Sequence, residues 1–179
     1  MNAYDSGDAV VLDVVRHPPK MFDTDHLGPP NDGPPTLERW TVDLADGKVR
    51  ESRIDDRAQE FPPRVDERRV GKRHRYGYAP SIGDGTGGGE TLLKHDLVGV
   101  GTVTRSFGGA GKELGEFVFH PSSPGAAEDD GVLMGYVYDR ATDRSELAIL
   151  DAQSLEDVAC IRLPHRVPAG FHGNWVPAA

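Results

Sequence analysis

The residues of this chain best suited to chemistry are its seven histidines. A neutral imidazole is a common ligand for iron, copper and zinc. His17 and His26 lie in a proline-rich stretch, His74 lies among arginines, and His95 lies beside Asp96. None of the seven belongs to a compact helical pairing such as HExxH. Spacing alone therefore leaves each of them open between metal ligation and an ordinary surface or core role.

One histidine has a less ordinary setting, in the stretch "LPHRVPAGFHGNWVPAA" at residues 163–179. A chain terminus is normally polar and loosely held, whereas this one carries Phe171, Trp175 and Val176. Its composition predicts a segment packed into a core. His172 lies inside that segment, between an aromatic residue and a glycine, and is a candidate for an imidazole held in a fixed place.

Two glutamates also lie in unusual surroundings. Glu60 precedes "FPPR", and Glu116 precedes "FVFHP". Both neighbourhoods are aromatic and extended, where a buried carboxylate is costly unless it is paired. The alternative is that each side chain points outward from its strand, and spacing alone favours that alternative.

Alternating apolar and polar residues, rich in β-branched types, form the elements that must position these candidates. Turn residues separate the alternating runs, and the sequence has no long apolar stripe of helical period. The chain is therefore predicted to be all-β. We predict strands over residues 8–16, 36–44, 48–54, 73–80, 91–97, 100–107, 115–121, 131–139, 145–152 and 157–164.

The stretch 131–163 predicts consecutive strands of an up-and-down sheet. Radially repeated sheets of this kind are typical of a β-propeller, although a β-sandwich would also give short alternating strands. The proline-rich residues 17–35 predict a long loop. The glycine-rich residues 83–90 predict a hairpin tip, because no strand-to-helix context supports phosphate binding.

Composition excludes several classes of protein. The chain has 29 acidic and 20 basic side chains and a formal net charge of -9, which argues against a nucleic-acid partner. Its single cysteine, Cys160 in "DVACIRL", excludes an internal disulfide and a multi-cysteine zinc site and is expected to be a buried structural thiol. No apolar run reaches membrane-spanning length and no signal pattern opens the sequence, so we expect no transmembrane segment and, by default, a cytoplasmic location.

Five segments between Asn2 and Trp175 carry a resemblance to a known family. They are "NAYDSGDAVVLDVVRHPPKMF", "EFPPRVDERRVGKRHRYGY", "LLKHDL", "GEFVFHPSSPGAAEDDGVLMGYVYD" and "LAILDAQSLEDVACIRLPHRVPAGFHGNW". In these segments, of which the last is the most specific, the chain resembles the C-terminal part of the carotenoid cleavage oxygenase family, which includes carotenoid, apocarotenoid and lignostilbene dioxygenases. The segments run in the family's order.

The resemblance implies a seven-bladed β-propeller with Fe(II) on its axis, held by four histidines from different blades. His172 in "GFHG" matches the fourth ligand, and Glu60 and Glu116 match two glutamates that hydrogen-bond the ligating imidazoles. These roles are physically consistent, because outer carboxylates accept the remaining ring N–H groups, fix the tautomers and offset the charge of the metal. Gly170 and Gly173 would let the backbone approach the axis closely.

The resemblance also implies that three of the four ligands precede Asn2. Residues 1–179 would then be the C-terminal part of a single propeller domain, about its last three blades, with the N-terminal part absent. One ligand of four does not hold Fe(II) against water. Open sheet edges would favour association with the missing N-terminal half.

The function implied is that of a non-haem Fe(II)-dependent dioxygenase. With O2 it would cleave a C=C bond of an apolar conjugated substrate (a carotenoid, apocarotenoid or stilbene) to carbonyl products, and this fragment alone would be inactive. The alternative is a non-catalytic β-sheet interaction module that binds a partner through its open edges. A hydrolase is disfavoured, since the sequence has no nucleophile elbow.

Overall fold

The computed structural model of the chain describes residues 1–18, 33–60, 64–82, 88–99, 101–108, 111–168, 170 and 172–176. Within these ranges the strands form three antiparallel sheets, in each of which every strand pairs with the next along the chain. The first sheet contains β1 (Asn2–Ser6), β2 (Ala9–Arg16), β3 (Thr36–Asp43) and β4 (Val49–Asp55). The second contains β5 (Tyr76–Ile82), β6 (Gly88–Asp96) and β7 (Gly101–Ser106). The third contains β8 (Lys112–Pro121), β9 (Gly131–Asp139), β10 (Arg144–Asp151) and β11 (Asp157–Arg162).

The prediction of an all-β chain is confirmed. Alternation places buried side chains on one face of β9, as with Leu133 and Val137, and on one face of β10, as with Ala148 and Leu150. The predicted strand at 73–80 begins only at Tyr76, because His74 lies in the segment that follows a short 3-10 helix at Glu67–Arg69. Three successive meanders of this kind are the pattern of propeller blades.

The second and third sheets meet through apolar side chains, which we call the apolar junction. Tyr78 of β5 and Phe119 of β8 stack with ring centroids 6.1 Å apart. Phe117 is fully buried beside them, and Gly135 makes room for its ring, since a Cβ there would come within 2.6 Å of Phe117 Cδ2. The other buried members of the cluster are Leu92, Leu114, Leu133, Val137, Ala148, Leu150, Ala152 and Leu155.

Buried polar side chains link the first and second sheets, and we call this region the polar junction. The carboxylate of Asp13 on β2 is fully buried and accepts hydrogen bonds from Arg39 at 2.7 and 2.9 Å. His74, which leads into β5, places Nε2 3.4 Å from an Asp13 oxygen. Asn2 Nδ2 donates to the carbonyl oxygens of Arg69 and Lys72 at 3.0 and 2.9 Å, so β1 is also held to the segment before β5.

A second polar group of the same junction surrounds His95 on β6. Its Nε2 lies 2.9 Å from Gln59 Oε1 and its Nδ1 lies 3.0 Å from Thr102 Oγ1. Burial lowers the pKa of His95 to about 4, against an opposing effect of Asp55. Burial alone would raise the pKa of Asp55, but hydrogen bonds from Arg57 and Thr102 outweigh it, so that pKa is lowered. The imidazole is therefore neutral and the carboxylate ionised near neutral pH.

Two predictions about burial are wrong. Cys160 is exposed, because every residue of β11, the last strand of its sheet, is exposed. Trp175 and Val176 are 49% and 79% exposed, so the described part of the terminal segment does not enter a core. The predictions for the proline-rich loop and the glycine-rich tip fall largely on residues 19–32 and 83–87, and that for Phe171 on residue 171, which lie outside the described residues.

Candidate metal centre

The structure brings two of the predicted site residues together. His172 Nδ1 lies 3.4 Å from Glu116 Oε1, and the N–H of Gly173 donates to Glu116 Oε2 at 3.0 Å. The Glu116 side chain is 5% exposed and that of His172 is 63% exposed. A buried carboxylate therefore faces an imidazole at the edge of the third sheet.

A β-bulge in β8 puts Glu116 in this place. Leu114 pairs with Val137, but Phe117 pairs with Gly135, so β8 has one residue more than the strand opposite. A bulge of this kind disrupts the ladder locally and re-aims a side chain. Leu114 and Phe117 on either side stay buried in the apolar junction, while the residues between them turn the carboxylate toward the C-terminal segment.

The pairing has a chemical consequence for the ring. An imidazole that donates Nδ1–H to a carboxylate carries its lone pair on Nε2, the form in which histidine ligates a metal. A carboxylate in this position fixes the tautomer and the orientation of the ring. The distance of 3.4 Å is at the long end for such a hydrogen bond. The contact therefore sets which ring nitrogen faces Glu116 but holds the ring weakly.

Glu60 contacts His17 and not an imidazole that the resemblance identifies as a metal ligand. Its Oε2 lies 2.8 Å from Nε2 of His17, with the two side chains 35% and 20% exposed. Sequence reasoning did not connect these residues, which are 43 positions apart along the chain. The only available signal was that an isolated glutamate beside aromatic residues requires a partner.

The remaining described histidines have other surroundings. His74 and His95 are buried in the polar junction. The ring of His120 lies 5.6 Å from that of Trp175, and His165 is exposed. Across the described ranges, no group of three or more His, Cys, Asp or Glu side chains is placed to hold a metal ion.

The described residues thus fit a metal centre only in part. His172 with Glu116 has the form of one ligand and its supporting carboxylate, but a ferrous ion needs several such ligands. Arg64 adds a positive charge 3.8 Å from Glu116 Oε1, which compensates the buried anion in this structure. The pair is suited to completing a metal centre, and it does not form one by itself.

A cleft of about 550 Å³ opens beside the pair. One face of β8, β9 and β10 forms one wall, and the segment that includes His172 forms the other. Much of its lining is apolar or aromatic, namely Val118, Met134, Tyr136, Leu147, Pro168 and Trp175. Its size is in the range of small-molecule sites, so an apolar ligand could lie next to the imidazole.

Comparisons with known proteins place this chain in a family. The profile described as "Retinal pigment epithelial membrane protein" matches residues 1–177. A carotenoid cleavage oxygenase of Mycobacterium tuberculosis is 46% identical over 187 aligned residues, which cover 99% of this chain. The chain belongs to the carotenoid cleavage oxygenase family. The apocarotenoid-15,15'-oxygenase of Synechocystis is 34% identical over 97% of the chain.

Solved structures of the carotenoid cleavage oxygenase family confirm the fold. Cobalt-substituted apocarotenoid oxygenase from Synechocystis superposes with a TM-score of 0.84 at 32% identity, covering 99% of this chain and 38% of that one. The prediction of a partial β-propeller is therefore confirmed. The chain spans 37% of the length of the mycobacterial and cyanobacterial relatives. In the part of the chain that the structure describes, no helix is long and apolar enough to cross a membrane.

Proposed function

We propose that this chain supplies one ligand, His172, to the Fe(II) centre of a non-haem dioxygenase that cleaves a C=C bond of a carotenoid, apocarotenoid or stilbene-like substrate to carbonyl products. The observation that carries the proposal is the contact between His172 and the buried carboxylate of Glu116 in a chain of this family. The other three imidazoles would come from blades outside residues 1–179, of which this chain would be the C-terminal part.

The role of Glu116 in this proposal is orientation. Its carboxylate accepts from the Nδ1 side of His172 and, through its other oxygen, from the backbone of Gly173. One carboxylate therefore positions both the imidazole ring and the peptide group that follows it. That anion also offsets part of the metal charge that neutral imidazoles leave uncompensated.

Glu60 is proposed for the same role beside a second ligand. The proposal for Glu60 rests on the resemblance, and its contact with His17 places the carboxylate within hydrogen-bond distance of an imidazole. In the complete centre a ligating imidazole would take the place that His17 occupies.

Bound Fe(II) with an open coordination position would supply the activation of O2. The residues of this chain would provide the apolar wall of the cleft beside His172, which excludes water and accepts a conjugated hydrocarbon. Support for the metal also comes from the Synechocystis apocarotenoid oxygenase, which was obtained in a cobalt-substituted form. Metal exchange of that kind requires a site that binds divalent ions.

The test uses a chimera in which the part of the mycobacterial relative that precedes its matched segment is joined to this chain. We compare the unchanged chain with His172→Ala and with the control His165→Ala, an exposed residue of the same segment. The unchanged chimera and the control should bind about one Fe(II) or Co(II) per chain. The His172 variant should lose at least about tenfold in metal affinity.

Metal content measured by mass spectrometry and the visible Co(II) spectrum report the outcome. Circular dichroism establishes that the variants are folded. Equal metal affinity and an unchanged Co(II) spectrum in the His172→Ala chimera would rule out the ligand assignment.

A second candidate function, a β-sheet interaction module, is favoured by the surface of β11. Val158 and Ile161 on this strand are 59% and 50% exposed, and β11 is at the edge of the third sheet. An exposed apolar edge strand invites pairing with another chain. Under this proposal the isolated chain is a defined species that binds a partner, and light scattering that showed only aggregates would argue against it.

A further inference from the structure

Arg64 is fixed to the second sheet by its backbone. Its N–H donates to the carbonyl oxygen of Tyr78 at 2.7 Å, and the N–H of Tyr78 donates back to the carbonyl oxygen of Arg64 at 2.8 Å. Tyr78 is 1% exposed within the apolar junction. The main chain at Arg64 is therefore as well anchored as the core itself.

The side chain of Arg64 extends from this anchor to the segment around His172. Its Nη2 donates to Asn174 Oδ1 and to Glu67 Oε1, both at 3.2 Å, and its Nη1 lies 3.8 Å from Glu116 Oε1. Asn174 Nδ2 also donates to Glu67 Oε1 at 2.9 Å. A closed triangle of polar contacts thus joins Arg64, Glu67 and Asn174. Asn174 lies two residues after the candidate ligand His172.

These contacts matter because His172 itself is largely exposed, with 63% of its side chain accessible. The contact with Glu116 is one that orients the ring. Glu116 Oε1 is approached both by the His172 ring and by the Arg64 guanidinium. The Arg64 guanidinium is therefore placed to hold the carboxylate that the ring faces.

We propose that Arg64 is a positioning residue for the candidate metal centre. Through Asn174 it holds the backbone after His172, and through Glu116 it holds the acceptor of the imidazole N–H in place. The purpose of this arrangement depends on the proposed function. The arrangement itself is a property of the chain's own residues and is measurable without metal.

The experiment records ring ¹⁵N resonances of His172 and amide hydrogen exchange of Gly173 in the metal-free chain of 179 residues. Arg64→Met keeps the length of the side chain and removes the guanidinium. Arg50→Met, an exposed arginine of β4, is the matched control. In the Arg64 variant the share of the Nδ1–H tautomer should fall, and Gly173 exchange should speed up about tenfold, as expected for the loss of one hydrogen bond. The control should match the unchanged chain.

Two further variants guard against a folding defect. Asn174→Ala removes the far end of the triangle without touching the core, and it should accelerate Gly173 exchange to a similar degree. Because Arg64→Met already removes the contact with Asn174, adding Asn174→Ala to it should add little beyond Arg64→Met alone. Arg64→Lys keeps the charge but not the planar fork, so it should preserve the tautomer more than the exchange protection.

Unchanged tautomer and exchange in folded Arg64→Met or Asn174→Ala chains would overturn the proposal. Full additivity in the double variant would overturn it too. Neither result bears on the metal content of the His172→Ala chimera. Conversely, loss of the ligand assignment in that chimera would leave these measurements unaffected, so failure of one proposal is distinguishable from failure of the other.

Discussion

The second sheet has one neighbour on each side, and the chemistry of the two contacts differs. Toward the third sheet it presents Tyr78 and Leu92 to the aromatic rings of Phe117 and Phe119. Toward the first sheet it presents His95, which takes part in a buried polar network. Apolar contact stabilises in proportion to area and without direction, whereas the polar network requires each donor to meet its acceptor.

The difference teaches which part of the fold tolerates change. A repacked apolar junction can keep its stability when volume and pattern are conserved. The polar junction does not adjust in this way, because removing one partner leaves a buried charge or donor uncompensated. It therefore specifies how the first sheet sits against the second, and it makes that contact sensitive to pH.

The largest expected effect is in the apolar junction. Phe117→Ala removes a fully buried ring and leaves a cavity, so the free energy of unfolding should fall by about 3–5 kcal/mol. Urea denaturation followed by circular dichroism measures it. Val103→Ala on β7, where Val103 is 56% exposed, should change the free energy by less than about 0.5 kcal/mol. Similar losses in both variants would mean that the apolar junction is not the main stabilising contact.

The next effect concerns pH and the polar junction. Burial lowers the pKa of His95 to about 4 from its ordinary value of 6.5, so between these values the unfolded chain binds a proton that the folded chain does not. The stability due to neutral His95 is complete above about pH 6.5 and is lost as the pH falls toward 4, by about 3 kcal/mol at most. Burial lowers the pKa of His74 as well, so it acts with the same sign.

His95→Gln isolates this contribution. The variant should be less stable at neutral pH. Between pH 6.5 and 4, the slope of its free energy of unfolding against pH should be smaller, and the difference should correspond to the binding of up to one proton on unfolding. Urea titrations at several pH values measure the slope. A slope equal to that of the unchanged chain would show that His95 is not the titrating group.

The smallest of the three effects distinguishes buried from exposed ion pairs. Asp13→Asn weakens the contact of a fully buried carboxylate with Arg39, whose side chain is 26% exposed, and should cost about 2 kcal/mol, since water can partly replace the lost partner. Asp46→Asn breaks an exposed pair with Lys48 and should cause no measurable change. Equal effects of the two substitutions would remove the distinction between the polar junction and the surface.

Ten of the eleven strands that the structure describes were predicted, because alternation and turn residues are local properties of the sequence, whereas β1 (Asn2–Ser6) was missed. The polar junction left one readable mark, which is Asp13 on the same face of β2 as the buried Val11. A charge in register with apolar residues indicates a partner, but the identity of that partner depends on tertiary packing. Spacing could not identify Arg39 and His74 in this role.

The candidate site was less predictable than the fold. His172 and Glu116 were selected by resemblance, and spacing alone favoured an outward-pointing glutamate. The bulge that aims Glu116 depends on the pairing of β8 with β9, which is not a property of β8 alone. The terminal segment was predicted to be buried because it is apolar, yet Trp175 is half exposed. Apolar composition shows that a segment can be buried. Burial also requires another surface of the protein to pack against it, and composition does not show whether one is there.

The extra residue in β8 also makes this position of the strand tolerant of a change in length. Val137 and Gly135 opposite it are two positions apart, while Leu114 and Phe117 are three apart. Deleting Gly115 would restore regular pleating with Leu114 and Phe117 still facing inward, and Glu116 would stay on the cleft face of β8 together with Val118. Loss of one residue at this position would therefore change the aim of the acid but not its face, whereas loss of one residue elsewhere in β8 would send the side chains beyond it to the opposite face.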